Sequence, residues 1–257
     1  MIREISSGYV KSEFHNSVTT IEFFHPQSNS LPGKILDEIS QAVHRAGNDE
    51  ETKLIILQSS GEKAFCAGAS FDELAAIQNV EQGLQFFSGF AHVINAMRIC
   101  PKFIIARVQG KCVGGGVGLV AAADYAIATE QAEIKLSELT IGIGPFVVGP
   151  VIERRVGTSA FTQLAIDASM WRSAQWGGRK GLFAEVHLTS EGMDESLSRL
   201  ANTLLHSSPA AMAEMKKIFW KGTENWDHLL LERAAISGKL VLSSFTKTAI
   251  EKFKAKR

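Results

Sequence analysis

Two short glycine-containing loops hold the residues best suited to chemistry. One is Gly110-Lys111-Cys112-Val113-Gly114-Gly115-Gly116-Val117-Gly118, which leads into Leu119-Val120-Ala121-Ala122-Ala123-Asp124. The other is Gly61-Glu62-Lys63-Ala64-Phe65-Cys66-Ala67-Gly68-Ala69-Ser70-Phe71-Asp72-Glu73-Leu74. Glycines ahead of an apolar helix leave backbone N–H groups unused at the helix N-terminus, where they can receive a negatively charged oxygen. Glycine also lets another molecule approach the backbone closely, and it equally allows tight helix–sheet packing. Two such loops can aim one N–H each at a single oxygen, the geometry that stabilises an oxyanion.

Strands and helices must hold these loops in place. Phe103-Ile104-Ile105-Ala106-Arg107-Val108 precedes the first loop and Leu54-Ile55-Ile56-Leu57 the second. Both read as buried strands. Ser70 is a good N-cap for a helix after the second loop. Upstream, residues 9–14 and 19–24 read as strands joined by the polar turn His15-Asn16-Ser17. Leu31, Ile35, Ile39 and Val43 recur at helical spacing, and residues 81–98 read as a further helix. Ala126-Ile127-Ala128 and Glu133-Ile134-Lys135 read as short strands. The pattern is α/β to about residue 150. Beyond Pro150 the apolar residues keep helical spacing over residues 151–166, 197–205, 210–220, 229–242 and 245–253, and Ser207-Ser208-Pro209 marks a helix start.

Composition narrows the class of function. The 257 residues carry 27 Lys plus Arg against 27 Asp plus Glu, a net charge of zero. No basic stripe stands out, which argues against nucleic acid as a partner. Cys66, Cys100 and Cys112 lack C-x-x-C spacing and read as free thiols of a reducing compartment. MIREISSGYV is charged, without an apolar core, so no secretory leader is expected. Apolar runs are short or interrupted, so no membrane span is expected. These features point to a cytoplasmic, enzyme-sized protein.

Competing motifs are weaker. Gly116-Val117-Gly118-Leu119-Val120-Ala121 fits G-x-G-x-x-A, the dinucleotide fingerprint, but it lies mid-chain behind two further glycines. No P-loop, G-x-S-x-G elbow or H-E-x-x-H helix is present, and no metal site is expected. His92 reads as a packed or surface residue. Phe86, Phe87 and Phe90 read as core that can also wall a pocket.

Lys63-Ala64-Phe65-Cys66-Ala67-Gly68-Ala69, the Gly114-Gly115-Gly116 run ending at Ala123-Asp124, and Lys135-Leu136-Ser137-Glu138-Leu139 together resemble the crotonase (enoyl-CoA hydratase/isomerase) superfamily. Leu182-Phe183-Ala184-Glu185-Val186 and Ser208-Pro209-Ala210 extend the likeness over nearly the whole chain. The resemblance implies an α/β spiral of β-β-α turns over residues 1–195. It implies a helical region over 196–257 that mediates homotrimers, often paired into hexamers. It also implies an acyl-CoA thioester as substrate and no cofactor beyond the coenzyme A of that substrate. The N–H groups of Ala69 and Gly115 match the family's oxyanion positions, with Ala67, Gly68, Gly114 and Gly118 beside the substrate. Glu138 matches the family's proton-transfer glutamate at the α-carbon, a role that burial favours by raising its pKa; otherwise it would only cap a turn.

Departures from the pattern bear on the reaction. Two-glutamate hydratases carry a second carboxylate where Gly118 stands, and dienoyl-CoA isomerases carry one where Phe146 stands. A lone carboxylate suits a proton shuttle between two carbons, as in the family's Δ3,Δ2-enoyl-CoA isomerases. Hydration, including that of branched substrates such as methylglutaconyl-CoA, requires another group to activate the water. An acyl-CoA-binding module of little activity is a third expectation. Asp72 replaces a CoA-binding lysine of many members, which leaves Lys252 and Lys254 as candidates for the phosphates.

Overall fold

A computed structural model describes residues 8–254, with the side chains of Phe253 and Lys254 outside the described set. Most of the stretch read for a leader therefore lies outside the described residues.

Strands β1 (Tyr9–His15) and β2 (Val18–Phe24) form an antiparallel hairpin. Asn16 and Ser17 turn between them with φ of 48° and 62°. This left-handed pair matches the twist of the strands it joins. Strands β3 (Leu54–Ser59), β5 (Phe103–Val108), β7 (Tyr125–Thr129) and β9 (Glu185–His187) then add in parallel, giving the order β1-β2-β3-β5-β7-β9. After β3, β5 and β7 the chain crosses to a second, three-stranded parallel sheet made of β4 (Ala64–Cys66), β6 (Lys111–Val113) and β8 (Ile134–Lys135). Each crossing is a β-β turn of the expected spiral.

Helices close the turns. Helix α1 (Gly33–Asn48) follows the hairpin. Helices α2 (Phe71–Ala76) and α3 (Val80–Ile99) follow β4, and α4 (Gly115–Ala122) follows β6. A 3₁₀ turn, Glu138–Ile141, follows β8. The segment Gly149–Ile166, labelled α5, is helical on both sides of a break at Gly157, where φ is 78°. Between α5 and β9 lies α6 (Ala174–Arg179), which sequence periodicity does not reveal.

The core fills the space between the sheets and helices α1 and α3. Phe23 meets Phe65 across the two sheets in an edge-to-face pair at 5.4 Å. Cys66, Cys100 and Cys112 are free and buried, and burial pushes the Cys66 thiol up to about 12. Both strands read as continuous apolar runs are buried, as parallel strands covered on two faces must be.

The C-terminal helices are α7 (Ser190–Leu205), α8 (Pro209–Phe219), α9 (Trp226–Leu240) and α10 (Ser244–Lys254). Ser208 caps α8 and Pro209 opens it, as the sequence signals. One buried ion pair docks α8: Lys216 Nζ lies 2.8 Å from Asp124 Oδ2, with side chains 2% and 6% exposed. Ile104 N–H and Trp220 Nε1–H also donate to that carboxylate. Helix α9 crosses α3 at Gly83 and Gly238, where a Cβ on Gly83 would stand 2.7 Å from the Gly238 backbone. This close crossing brings Ser237 of α9 to the cavity described next.

Candidate functional site

The loops after β4, β6 and β8 lie side by side because those strands are neighbours in register, Cys66 with Cys112 and Val113 with Lys135. They open onto one cavity of about 560 Å³. Ala67, Gly68, Ala69, Gly114, Gly115 and Glu138 all line it. Residues far apart in the chain are thus brought to one place, as the sequence suggested.

The β4 loop is held firmly. Asn29 Nδ2 donates to the carbonyls of Ser60 and Ala64, and Ala67 N–H donates to Ser28 O. Leu31 N–H donates to Gly68 O at 2.8 Å, and Ser70 N–H donates to Leu31 O at 3.0 Å. In extended chain, successive N–H groups point to opposite sides. Because Ser70 N–H faces Leu31, Ala69 N–H faces away from it. Ala69 N–H has no hydrogen-bond acceptor among the described residues. Gly68, at φ 91°, makes the turn that allows this.

Gly115 opens α4, so its N–H finds no acceptor within the helix. Gly114 precedes it at φ 53°, and Gly114 N–H donates to Lys135 O at 2.9 Å. A side chain on Gly115 would run into the Phe90 ring. A Cβ on Gly68 would stand 3.8 Å from Gly115 N, which places the two loops in contact. Two amides in adjoining loops, neither with an acceptor among the described residues, are groups that can hold a negatively charged oxygen.

Glu138 starts the 3₁₀ turn after β8 and does not cap it with its carboxylate. Oε2 is buried and has no hydrogen-bond partner among the described residues. Burial pushes the carboxyl up to about 7, opposed by a hydrogen bond from its own backbone N–H. A buried carboxylate normally finds partners. One with an oxygen left unpartnered, as here, can accept or release a proton near neutrality. Phe86, Phe87, Phe90, Phe146 and Val148 supply the apolar wall.

Several expected residues sit elsewhere. Gly118 does not line the cavity: a Cβ on it would stand 2.5 Å from Val148 Cγ1, so Val148 forms the wall there. Lys252 is exposed on α10, away from the cavity lining, and the Lys254 side chain lies outside the described residues. Asp72 accepts a hydrogen bond from Gln27 Nε2 at 2.8 Å. Sequence reasoning gave no role to Val148, Lys135 or Trp171, all of which line the cavity. Lys135 had a signal, three residues before Glu138 at a strand end. Val148 had none, because its partner Gly118 is distant in the chain.

No helix among the described residues is long and apolar enough to cross a membrane. The enoyl-CoA hydratase/isomerase family model matches residues 13–255. The chain is 30% identical over 202 residues to a carnitinyl-CoA dehydratase of Salmonella enteritidis, covering 79% of this chain and 76% of that one. It is 28% identical over 257 residues to a short-chain-enoyl-CoA hydratase of Clostridium acetobutylicum, covering 99% and 97%. The crystal structure of an enoyl-CoA hydratase from Bacillus halodurans superposes with a TM-score of 0.88 at 22% identity, over 95% of this chain and 99% of that one. The spiral fold and the extent of the family match show that this chain belongs to the enoyl-CoA hydratase/isomerase family of the crotonase superfamily.

Proposed function

We propose that this acyl-CoA enzyme holds the thioester oxygen on the N–H groups of Ala69 and Gly115, with Glu138 moving a proton between two substrate carbons. Glu138, as carboxylate, takes a proton from C2 of a 3-enoyl thioester. The electron pair spreads onto the thioester oxygen, where the two N–H groups stabilise the dienolate. The C3=C4 double bond becomes C2=C3 as the carboxylic acid returns the proton to C4. This is a Δ3,Δ2-enoyl-CoA isomerisation, and no water enters it.

One observation carries the reading: Glu138 is the only acid among the described residues lining the cavity, and its Oε2 is unpartnered. Its carboxyl also lies beside Gly114, one residue from a proposed oxyanion donor. Val148 supports the same reading, since hydrocarbon fills the space that a side chain at 118 would need.

A second reading is hydration of an enoyl-CoA. The names of the relatives, a carnitinyl-CoA dehydratase and a short-chain-enoyl-CoA hydratase, favour it, and the hydroxyls of Ser137 and Thr140 at the cavity are groups that can hold a water. For either reading, a complex with unreactive butanoyl-CoA should put the thioester oxygen about 2.7–3.1 Å from both amide nitrogens. A thioester bound with its oxygen elsewhere contradicts the assignment.

A further inference from the structure

Lys135 is the one cation among the described residues that line the cavity, and Glu138 is the only other charged side chain there. Lys135 ends β8 in register with Val113 of β6, and its neighbour Ile134 forms an antiparallel bridge to Arg172. Trp171 therefore stands across from Lys135. Strand alternation puts Lys111, Val113, Lys135 and Trp171 on one face of the small sheet. Lys111 Nζ is 4.7 Å from the centre of the Trp171 ring, and Lys135 Nζ is 5.5 Å from it. Trp171 is 37% exposed.

Charge at this ledge is unbalanced. Lys111 meets Glu133 at 2.8 Å, but Lys135 has no carboxylate within ion-pair distance among the described residues. Two ammonium groups thus share one partly open ring with a single carboxylate. Like charges so placed repel, and an anion between them would relieve the repulsion. Lysine ammonium binds phosphate and carboxylate oxygens as a point charge, and the indole offers a flat apolar floor beside them.

We propose that Lys135, Lys111 and Trp171 form an anion-binding ledge at the edge of the cavity, taking an anionic oxygen group of the bound thioester. The group is a phosphate of the CoA portion or a carboxylate at the far end of the acyl chain. This inference rests on the thioester reading given above, and it supplies the cation that neither Asp72 nor Lys252 provides at the cavity.

Calorimetric titration of wild type, Lys135→Gln and Lys135→Arg with three ligands tests it. Butanoyl-CoA carries phosphates, glutaryl-pantetheine carries only a distal carboxylate, and butanoyl-pantetheine carries neither. Lys135→Gln should weaken binding of at least one anionic ligand by about 10- to 50-fold. Binding of butanoyl-pantetheine should stay unchanged, and Lys135→Arg should restore most of the loss. The loss should shrink at high salt, since the ledge is partly open. Loss for butanoyl-CoA assigns the ledge to phosphate, and loss for glutaryl-pantetheine assigns it to an acyl carboxylate. Unchanged binding of all three ligands overturns the proposal, as does an equal loss for the neutral one. A wild-type protein that binds none of them contradicts the thioester reading itself, and the ledge falls with it.

Discussion

The carboxyl group of Glu138 rests against the α-carbon of Gly114, where a Cβ would stand 2.9 Å from Oε1. Only a residue without a side chain leaves room for that carboxyl, and Gly114 also needs its positive φ of 53°. The proposed base and the proposed Gly115 donor are therefore positioned by the same turn of chain.

Replacing Glu138 with Gln keeps the shape and removes the proton carrier. Turnover should fall by about 10²–10⁴-fold, while affinity for a CoA thioester stays close to wild type. Steady-state kinetics together with a binding titration separate the two effects. Unchanged turnover removes Glu138 from the chemistry.

Stability should respond to pH through the same side chain. Burial raises the folded-state pKa of Glu138 to about 7 from an ordinary value of 4.5. Between these values the folded state binds the extra proton, so stability falls as pH rises through that window. Above pH 7 the buried charge costs roughly 3 kcal/mol. Glu138→Gln should therefore melt above wild type at pH 8, with the difference shrinking toward pH 5. Thermal unfolding at the two pH values measures this, and a constant difference contradicts the buried, unpaired carboxylate.

Gly118→Glu tests whether a second acid can be restored. The single substitution drives a side chain into Val148 and should cost about 1–3 kcal/mol through overpacking, without a gain in hydration. Gly118→Glu with Val148→Gly opens the space, and it should raise hydration of crotonyl-CoA relative to the single variant. Melting temperature and product analysis distinguish the two outcomes. A single variant that is stable and hydrates well shows that Val148 does not block the site.

Lys216→Met leaves the Asp124 carboxylate buried without its ion-pair partner. Removing one member of such a pair typically costs about 3–5 kcal/mol. Denaturant unfolding should show a loss of this size, whereas a loss under about 1 kcal/mol means the pair is replaceable.

Much of this arrangement was legible in the chain. The runs at Leu54 and Phe103 are dense in β-branched and aliphatic residues because parallel strands bury both faces. Ser70 and Ser208 announce their helices because their side chains accept a first-turn N–H. The two glycine loops and Glu138 were visible as motifs, and all of them reach one cavity. Strands β4 and β6 have only three residues each, too few for a periodicity to appear, whereas the short run read at Glu133-Ile134-Lys135 does contain β8. The facing of Gly118 was hidden because Val148, which decides it, sits on another element. The ledge was hidden for the same reason: a bridge between Ile134 and Arg172 brings Trp171 to Lys135.

The most direct test follows the products formed by wild-type protein from 3-hexenoyl-CoA and from crotonyl-CoA at neutral pH. Conversion of 3-hexenoyl-CoA to 2-hexenoyl-CoA at an enzymatic rate, with crotonyl-CoA hydrated far more slowly, is the expected result. Efficient formation of 3-hydroxybutanoyl-CoA without isomerisation of 3-hexenoyl-CoA contradicts the single-carboxylate shuttle and means that another group activates water.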